Sequence, residues 1–264
     1  MIELPHLASG AAALANSPNE TRIRAIRSDR WVGFDRARRV LRHLDGLCDH
    51  PPSTRPPGLA IYGHSGMGKT MLVEKFKRNH PPIIDHSTGV ESMPVLAITL
   101  TSRPTERRIY GQLLMAMGAS INERLTLMEL EIRTVLLLKS NNVRVLVFDA
   151  SLVCLGVSEA RDAIAGDTQL ARRLDQFVLP RWKADEEFQE LVTAILRSLP
   201  LKLPSALSSQ SLRHLSRLGD GITARVFGIL NELAIEAIQD GTERITDENI
   251  ESWKPALEKE AAFA

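Results

Sequence analysis

The stretch Gly63-His64-Ser65-Gly66-Met67-Gly68-Lys69-Thr70 constrains this chain more than any other, because it fits G-x-x-x-x-G-K-[ST] without a mismatch. Its flanks suit the motif. Upstream, Leu59-Ala60-Ile61-Tyr62 is a short apolar run after Pro56-Pro57-Gly58, the pattern of a buried strand. Downstream, Met71, Leu72, Lys75 and Phe76 begin a helical pattern. Strand, glycine-rich loop and helix in that order aim backbone N–H groups and the positive end of a helix at a phosphate. Gly63, Gly66 and Gly68 let the backbone approach that phosphate with no Cβ in the way. Lys69 adds a point charge near the β and γ oxygens, and the Thr70 hydroxyl suits Mg²⁺. A chance glycine-rich turn is the alternative, and the spacing together with both flanks argues against it. The chain is expected to bind a nucleoside triphosphate.

The 264 residues suffice for one α/β nucleotide-binding domain and a smaller appendage. With 44% hydrophobic and 25% charged residues the chain should be soluble and globular. Its formal net charge of +1 announces no nucleic acid, so any such surface must be local. Cys48 and Cys154 are the only cysteines, which excludes a disulfide framework and a cysteine-based zinc site. Met1 to Leu14 lacks the basic start of a signal peptide, and no apolar run approaches the ~18 residues of a membrane span. An intracellular, cytoplasmic protein with no membrane partner is expected.

Residues 1 to about 20 are weakly patterned and read as a mobile or partner-dependent arm. Between Arg22 and Arg42 stand eight arginines against two acids, Asp29 and Asp35. They read either as the solvated face of a helix or as a surface for phosphates or a neighbouring subunit. Asp35 opens a helix with Ala37, Val40, Leu41, Leu44 and Leu47 on one face, and His50 to Pro57 links it to the first strand. The helix after the phosphate loop should run to about Asn79, with a loop at 83–93. Val95 to Leu100 is a continuous apolar run, as in a parallel strand buried on both faces. Helices are expected at about 106–117 and 124–139. Val143 to Asp149 is then an apolar strand ending in an acid, the place from which an acid holds Mg²⁺ in such NTPases.

Asp149-Ala150-Ser151 leads straight into Leu152-Val153-Cys154-Leu155-Gly156, another buried-strand pattern. Adjacent parallel strands need a crossover of about 10–12 residues or more. The expectation is that about one crossover helix is missing near 149–152. A helix including Ile164, paired Arg172 and Arg173, and a last strand, Phe177-Val178-Leu179, follow. Beyond Pro180-Arg181-Trp182 everything reads helical: a helix capped by Asp185, one at 209–218, one from Ile222 to Gln239 ended by Gly241, and one near Thr246. The boundaries are therefore 1–57 for the arm and arginine-rich linker helix, 58–181 for the nucleotide domain and 182–264 for a helical lid.

These features resemble the AAA+ ATPases that regulate transposition, the TniB/TnsC/MuB kind, and TniB most of all. The residues that carry the resemblance are Trp31-Val32-Gly33-Phe34, Gly63 to Thr70, Pro104-Thr105-Glu106-Arg107-Arg108-Ile109-Tyr110, Gln169 to Leu174 with Leu179-Pro180-Arg181-Trp182, and the stretch Gly219 to Ala237. The resemblance spans nearly the whole chain. It implies an α/β fold, an AAA+ P-loop NTPase with parallel sheet order 5-1-4-3-2 followed by a small all-helical lid. It also implies ATP and Mg²⁺ as cofactors, and assembly of the chain with itself into a ring or helical filament on double-stranded DNA. The assembly would recruit a DDE transposase to its target, in a bacterial cytoplasm and on the nucleoid when bound to DNA.

Carried over by position, Gly63, His64, Ser65, Gly66, Met67, Gly68, Lys69 and Thr70 hold the phosphates, Thr70 and Asp149 serve Mg²⁺, and Trp31 and Val32 lie near the adenine. Arg173 corresponds to the arginine that reaches the neighbour's γ-phosphate, although a surface pair with Arg172 is the plainer reading. Arg225 corresponds to a lid arginine that senses nucleotide. Arg103, Thr105, Arg107 and Arg108 correspond to DNA-backbone contacts, with a solvated helix start as the alternative. Two departures stand out. Ala150 occupies the place of the water-polarising Glu after Asp149, and Val157 with Ser158 occupies the polar sensor position. Hydrolysis is thus uncertain while binding is expected. The competing reading is an AAA+ switch that acts on a protein partner without touching DNA. A replication initiator would be expected to carry a further DNA-binding domain after the lid, whereas the chain ends about where the lid does.

Overall fold

The computed structural model describes residues 4–54, 56–84, 91–100, 105–122, 124–150 and 174–255. In chain order the elements are α1 (Ser9–Leu14), α2 (Asn19–Arg27), α3 (Asp35–Asp49), β1 (Gly58–Gly63), α4 (Lys69–Asn79), β2 (Ile83–Ile84), β3 (Glu91–Ser92) and β4 (Val95–Leu100). They continue with α5 (Glu106–Ala116), α6 (Leu127–Ser140), β5 (Val145–Ala150), β6 (Leu174–Leu179), α7 (Glu186–Ser198), α8 (Ser209–Leu218), α9 (Thr223–Gln239) and α10 (Asp247–Ser252). Two compact units result. The α/β unit is Arg39–Gly63 with Lys69–Leu179; the helical unit is Met1–Arg38, His64–Gly68 and Pro180–Ala264.

In the α/β unit, β1 pairs with β6 and β4 with β5, both parallel. Gly58 stands opposite Leu174 and Gly63 opposite Leu179; Val95 stands opposite Val145 and Thr99 opposite Asp149. Continuous apolar strands suit this arrangement, since Leu96 and Ile98 enter a core with Leu113 of α5. Leu72 and Phe76 give α4 its buried face. The expected loop at 83–93 carries a short antiparallel ladder, Ile83 with Ser92 and Ile84 with Glu91. The run 152–156, the helix around Ile164, Arg172 and the connectivity through 149–153 lie outside the described residues.

In the helical unit, local chemistry sets the helix starts. The Asp185 carboxylate accepts from the Phe188 amide at 3.0 Å and starts α7. Thr246 and Asn249 form a reciprocal cap on α10. Phe188, Leu191, Val192 and Ile195 of α7, and Val226, Leu230, Leu233 and Ala234 of α9, are buried. The N-terminal segment, expected to be a loose arm, instead folds as α1 and α2, with Ala15 and Ile26 inside the unit. Small alanine side chains carry little sequence pattern yet allow close helix packing, and the Ala8 amide donates to the Arg197 carbonyl at 2.7 Å.

The arginine-rich stretch divides: Arg24, Arg27, Arg38, Arg39 and Arg42 are exposed, as on a solvated face, whereas Arg22, Arg30 and Arg36 turn inward. Arg22 is fully buried. It donates to the Pro200 carbonyl at 3.0 and 2.7 Å and forms an ion pair with Glu243. Arg30 reaches Ser198 at 3.0 Å and the Asn231 side chain at 2.5 Å. Arg36 lies 3.7 Å over the Trp182 ring, pairs with Glu187 and donates to the Pro180 carbonyl at 3.1 Å. The role of these three arginines is internal: their guanidinium groups fasten distant segments of one unit.

Candidate functional site

The phosphate loop begins where β1 ends and closes where α4 starts, at Lys69. In the α/β unit, the Lys69 ammonium donates to the Gly63 carbonyl at 2.6 Å. Burial pulls Lys69 below its ordinary pKa, and the Asp149 carboxylate partly offsets this. The Thr70 hydroxyl donates to Asp149 Oδ2 at 3.0 Å. The chain places these two oxygen donors side by side although they are 79 residues apart, because β5 runs parallel to β4 and delivers Asp149 at its carboxyl end. Hydroxyl and carboxylate oxygens are the donors a hard cation such as Mg²⁺ takes. No acid stands in the first turn of α4, so its positive end carries no neutralising charge there.

The middle of the loop, residues 64–68, belongs to the helical unit. Gly66 and Gly68 take φ of +79° and +90°, conformations that L side chains rarely adopt. The Gly66 carbonyl accepts from the Ala224 amide at 2.9 Å, and a Cβ on Gly66 would come within 2.9 Å of Ile222 Cγ2. Met67 is buried, whereas His64 and Ser65 are exposed. The first residues of α9 thus rest directly on the loop.

The remaining expected residues take varied positions. Val32 is buried and Trp31 half-buried, while Phe34 packs edge-on against Trp182 at 5.4 Å. Trp182 is held by the Thr223 hydroxyl at 2.8 Å and by the Gly221 carbonyl, also at 2.8 Å. Arg225, in the first turn of α9, is exposed and its Nη1 lies 3.5 Å from Asp220 Oδ2. Arg181 Nη1 reaches Asp220 Oδ1 at 2.6 Å. Thr105 caps α5 by accepting from the Arg108 amide at 3.3 Å. Arg107, exposed beside it, donates to the Leu125 carbonyl at 2.7 Å. Arg103 and Arg173 lie outside the described residues. Sequence reasoning missed the Asp220 pairs and the Gly66 contact. The Asp220-Gly221 dipeptide signals a turn, but no local pattern announces which side chains the turn gathers.

Among the described residues no group of three or more His, Cys, Asp or Glu side chains is placed to hold a metal, and no helix is long and apolar enough to cross a membrane. The sequence pattern of the family described as bacterial TniB protein matches residues 22–150 and 148–184, more than half of the chain. The chain belongs to the TniB family. This family match meets the resemblance drawn from the motifs, and its two pieces join at 148–150, where Ala150 follows Asp149. No curated protein matches the sequence significantly. Among solved structures, the chain is similar to the Aeropyrum pernix ORC2 protein in its ADPNP-ADP complexes, at 15% identity and TM-score 0.51, covering 91% of this chain and 74% of that one. It is also similar to the Aeropyrum pernix ORC1 protein in complex with DNA, at 18% identity and TM-score 0.49, covering 87% and 68%. A third is Drosophila ORC bound to DNA, at 14% identity and TM-score 0.48, covering 88% and 64%. The ORC2 likeness supports an α/β fold with short parallel strand pairs and many helices.

Proposed function

We propose that this TniB-family chain is an ATP-dependent, largely sequence-nonspecific DNA-binding regulator of transposition that assembles with itself on target DNA and recruits a DDE transposase. The observation that carries the reading is the convergence of Lys69, Thr70 and Asp149 at the phosphate loop of a TniB-family chain. Mg²⁺ held by Thr70 and Asp149 would neutralise charge on the β and γ oxygens. The loop amides and Lys69 would bind and orient the phosphates, with Trp31 and Val32 toward the base and Arg225 as the lid arginine. Arg173 from a neighbouring copy would complete the site, so that nucleotide chemistry depends on assembly. Thr105, Arg107, Arg108 and Arg103 would meet the DNA backbone.

The proposed sheet order 5-1-4-3-2 is compatible with both parallel pairs among the described residues, β6 beside β1 and β5 beside β4. The proposed domain boundaries remain 58–181 for the nucleotide domain and 182–264 for the lid, in a cytoplasmic protein. Ala150 in the place of a water-polarising carboxylate supports binding with slow turnover.

The test is co-sedimentation of the chain with duplex DNA in Mg²⁺, with ATP, a non-hydrolysable analogue or no nucleotide. Nucleotide-dependent pelleting that Lys69→Ala abolishes supports the reading. Nucleotide binding without any DNA association would instead favour a switch that acts on a protein partner.

A further inference from the structure

The turn between α8 and α9 gathers a charged cluster of which the nucleotide reading uses Arg225 alone. Asp220 and Gly221 both take left-handed conformations, with φ of +52° and +61°. The turn cannot drift. The Trp182 amide donates to the Gly221 carbonyl at 2.8 Å, and a Cβ on Gly221 would come within 2.5 Å of the Trp182 carbonyl oxygen. The Asp220 carboxylate thereby faces two arginines, one on each oxygen, and holds them unequally. Arg181 sits at 2.6 Å and Arg225 at 3.5 Å. Arg225 directly follows Ala224, whose amide is hydrogen-bonded to the Gly66 carbonyl of the phosphate loop. The loosely held guanidinium is therefore one residue from a peptide that rests on that loop.

We propose that Asp220 sets nucleotide affinity by holding Arg225 in reserve, while Arg181 keeps Asp220 paired when Arg225 leaves. The proposal rests on the nucleotide reading of the phosphate loop. A polyphosphate offers more charge and more acceptor oxygens than one carboxylate, so it competes well for an arginine. Exposed ion pairs contribute little to stability, so moving Arg225 from Asp220 to phosphate costs little. Arg181 makes the exchange cheaper still, because Asp220 is never left alone. ATP carries one more phosphate than ADP, and the competition favours it correspondingly. Asp220 and Arg181 are positioning residues in this scheme, and only Arg225 meets the nucleotide.

The scheme makes predictions of opposite sign for the two members of the tighter pair. Asp220→Asn frees Arg225, and ATP affinity should rise about two- to fivefold, with a smaller gain for ADP, the range expected for an exposed pair. Arg181→Ala leaves Arg225 as the sole partner of Asp220, and ATP affinity should fall by a similar factor. In an Arg225→Ala background, Asp220→Asn should change nothing. The experiment is titration of the full chain with fluorescent ATP and ADP in Mg²⁺, with a melting temperature for each variant. Asparagine tolerates the left-handed conformation, and Asp220→Gly serves as a second variant with the same expected sign. Movement of Asp220→Asn and Arg181→Ala in the same direction is what a purely structural pair would give, and it overturns the proposal. An unchanged Asp220→Asn, in wild-type-like ATP binding that Lys69→Ala abolishes, overturns this proposal alone. No ATP binding by the wild type, or binding indifferent to Lys69→Ala, overturns the nucleotide reading and this proposal with it.

Discussion

At the scale of single residues, the phosphate loop shows how little of a site depends on side-chain identity and how much on backbone conformation. Lys69 and Thr70 are legible from spacing because a phosphate needs a cation and a hydroxyl at fixed offsets from a turn. Their partners are not. The Gly63 carbonyl and the Asp149 carboxylate become neighbours only through folding. Lys69→Ala should abolish ATP binding and leave the melting temperature within about a degree or two, since the residue is half-buried and anchors no core; titration with fluorescent ATP and thermal unfolding check both halves. Gly221→Ala should act in the opposite manner. It combines a left-handed φ with a contact to the Trp182 carbonyl, and a loss of at least about 2 kcal/mol in chemical denaturation is expected.

At the scale of elements, α2 and the turn that follows α9 carry the clearest energetic device. Burial works to raise the Glu243 carboxyl, but the hydrogen bonds from Arg22 and the Lys202 amide, with the charges of both residues, outweigh it and hold Glu243 below its ordinary value. A carboxyl lowered in the folded state contributes stability above its unfolded value, near ~4.3, and loses it as pH falls through the lowered one. Unfolding followed against pH should therefore show wild type losing stability below about pH 4 more steeply than Glu243→Gln. Arg22→Ala should cost about 3 kcal/mol at neutral pH, because it removes the buried partner of Glu243, leaving only Lys202 beside that carboxylate, and takes both donors from the Pro200 carbonyl. From sequence, Arg22 looked like one charge among eight. Its burial depends on Pro200 and Glu243, 178 and 221 residues away, and no local pattern encodes that.

At the scale of the whole molecule, the proposed assembly on DNA predicts a steep dependence on salt. Each phosphate neutralised contributes about −0.9 to the slope of log affinity against log salt. Arg107→Ala and Arg108→Ala should each weaken binding across unrelated duplexes and reduce that slope by about 1, measured by fluorescence anisotropy at several salt concentrations. A slope unchanged in both variants would remove the start of α5 from the DNA surface. The chain's organisation into two units also has a consequence for the loop itself. Residues 64–68 group with the helical unit, whereas Lys69 and Thr70 group with the α/β unit. One covalent loop thus contributes residues to both.

By itself the sequence determined the phosphate loop, strands β1, β4, β5 and β6, the helices α3 to α10, the helix starts at Asp185 and Thr246, and the family. Each of these rests on short-range chemistry: turn glycines, capping oxygens, and apolar residues at strand or helix periods. The tertiary structure alone decided which arginines are internal fasteners, that residues 9–14 and 19–27 fold as packed helices, and that the start of α9 touches Gly66 while Asp220 gathers Arg181 and Arg225. Apart from Asp220 with Arg225, those contacts join residues tens to hundreds of positions apart. Burial and ion pairing are settled by what the folded chain brings within a few ångströms, and periodicity along the sequence carries no record of it.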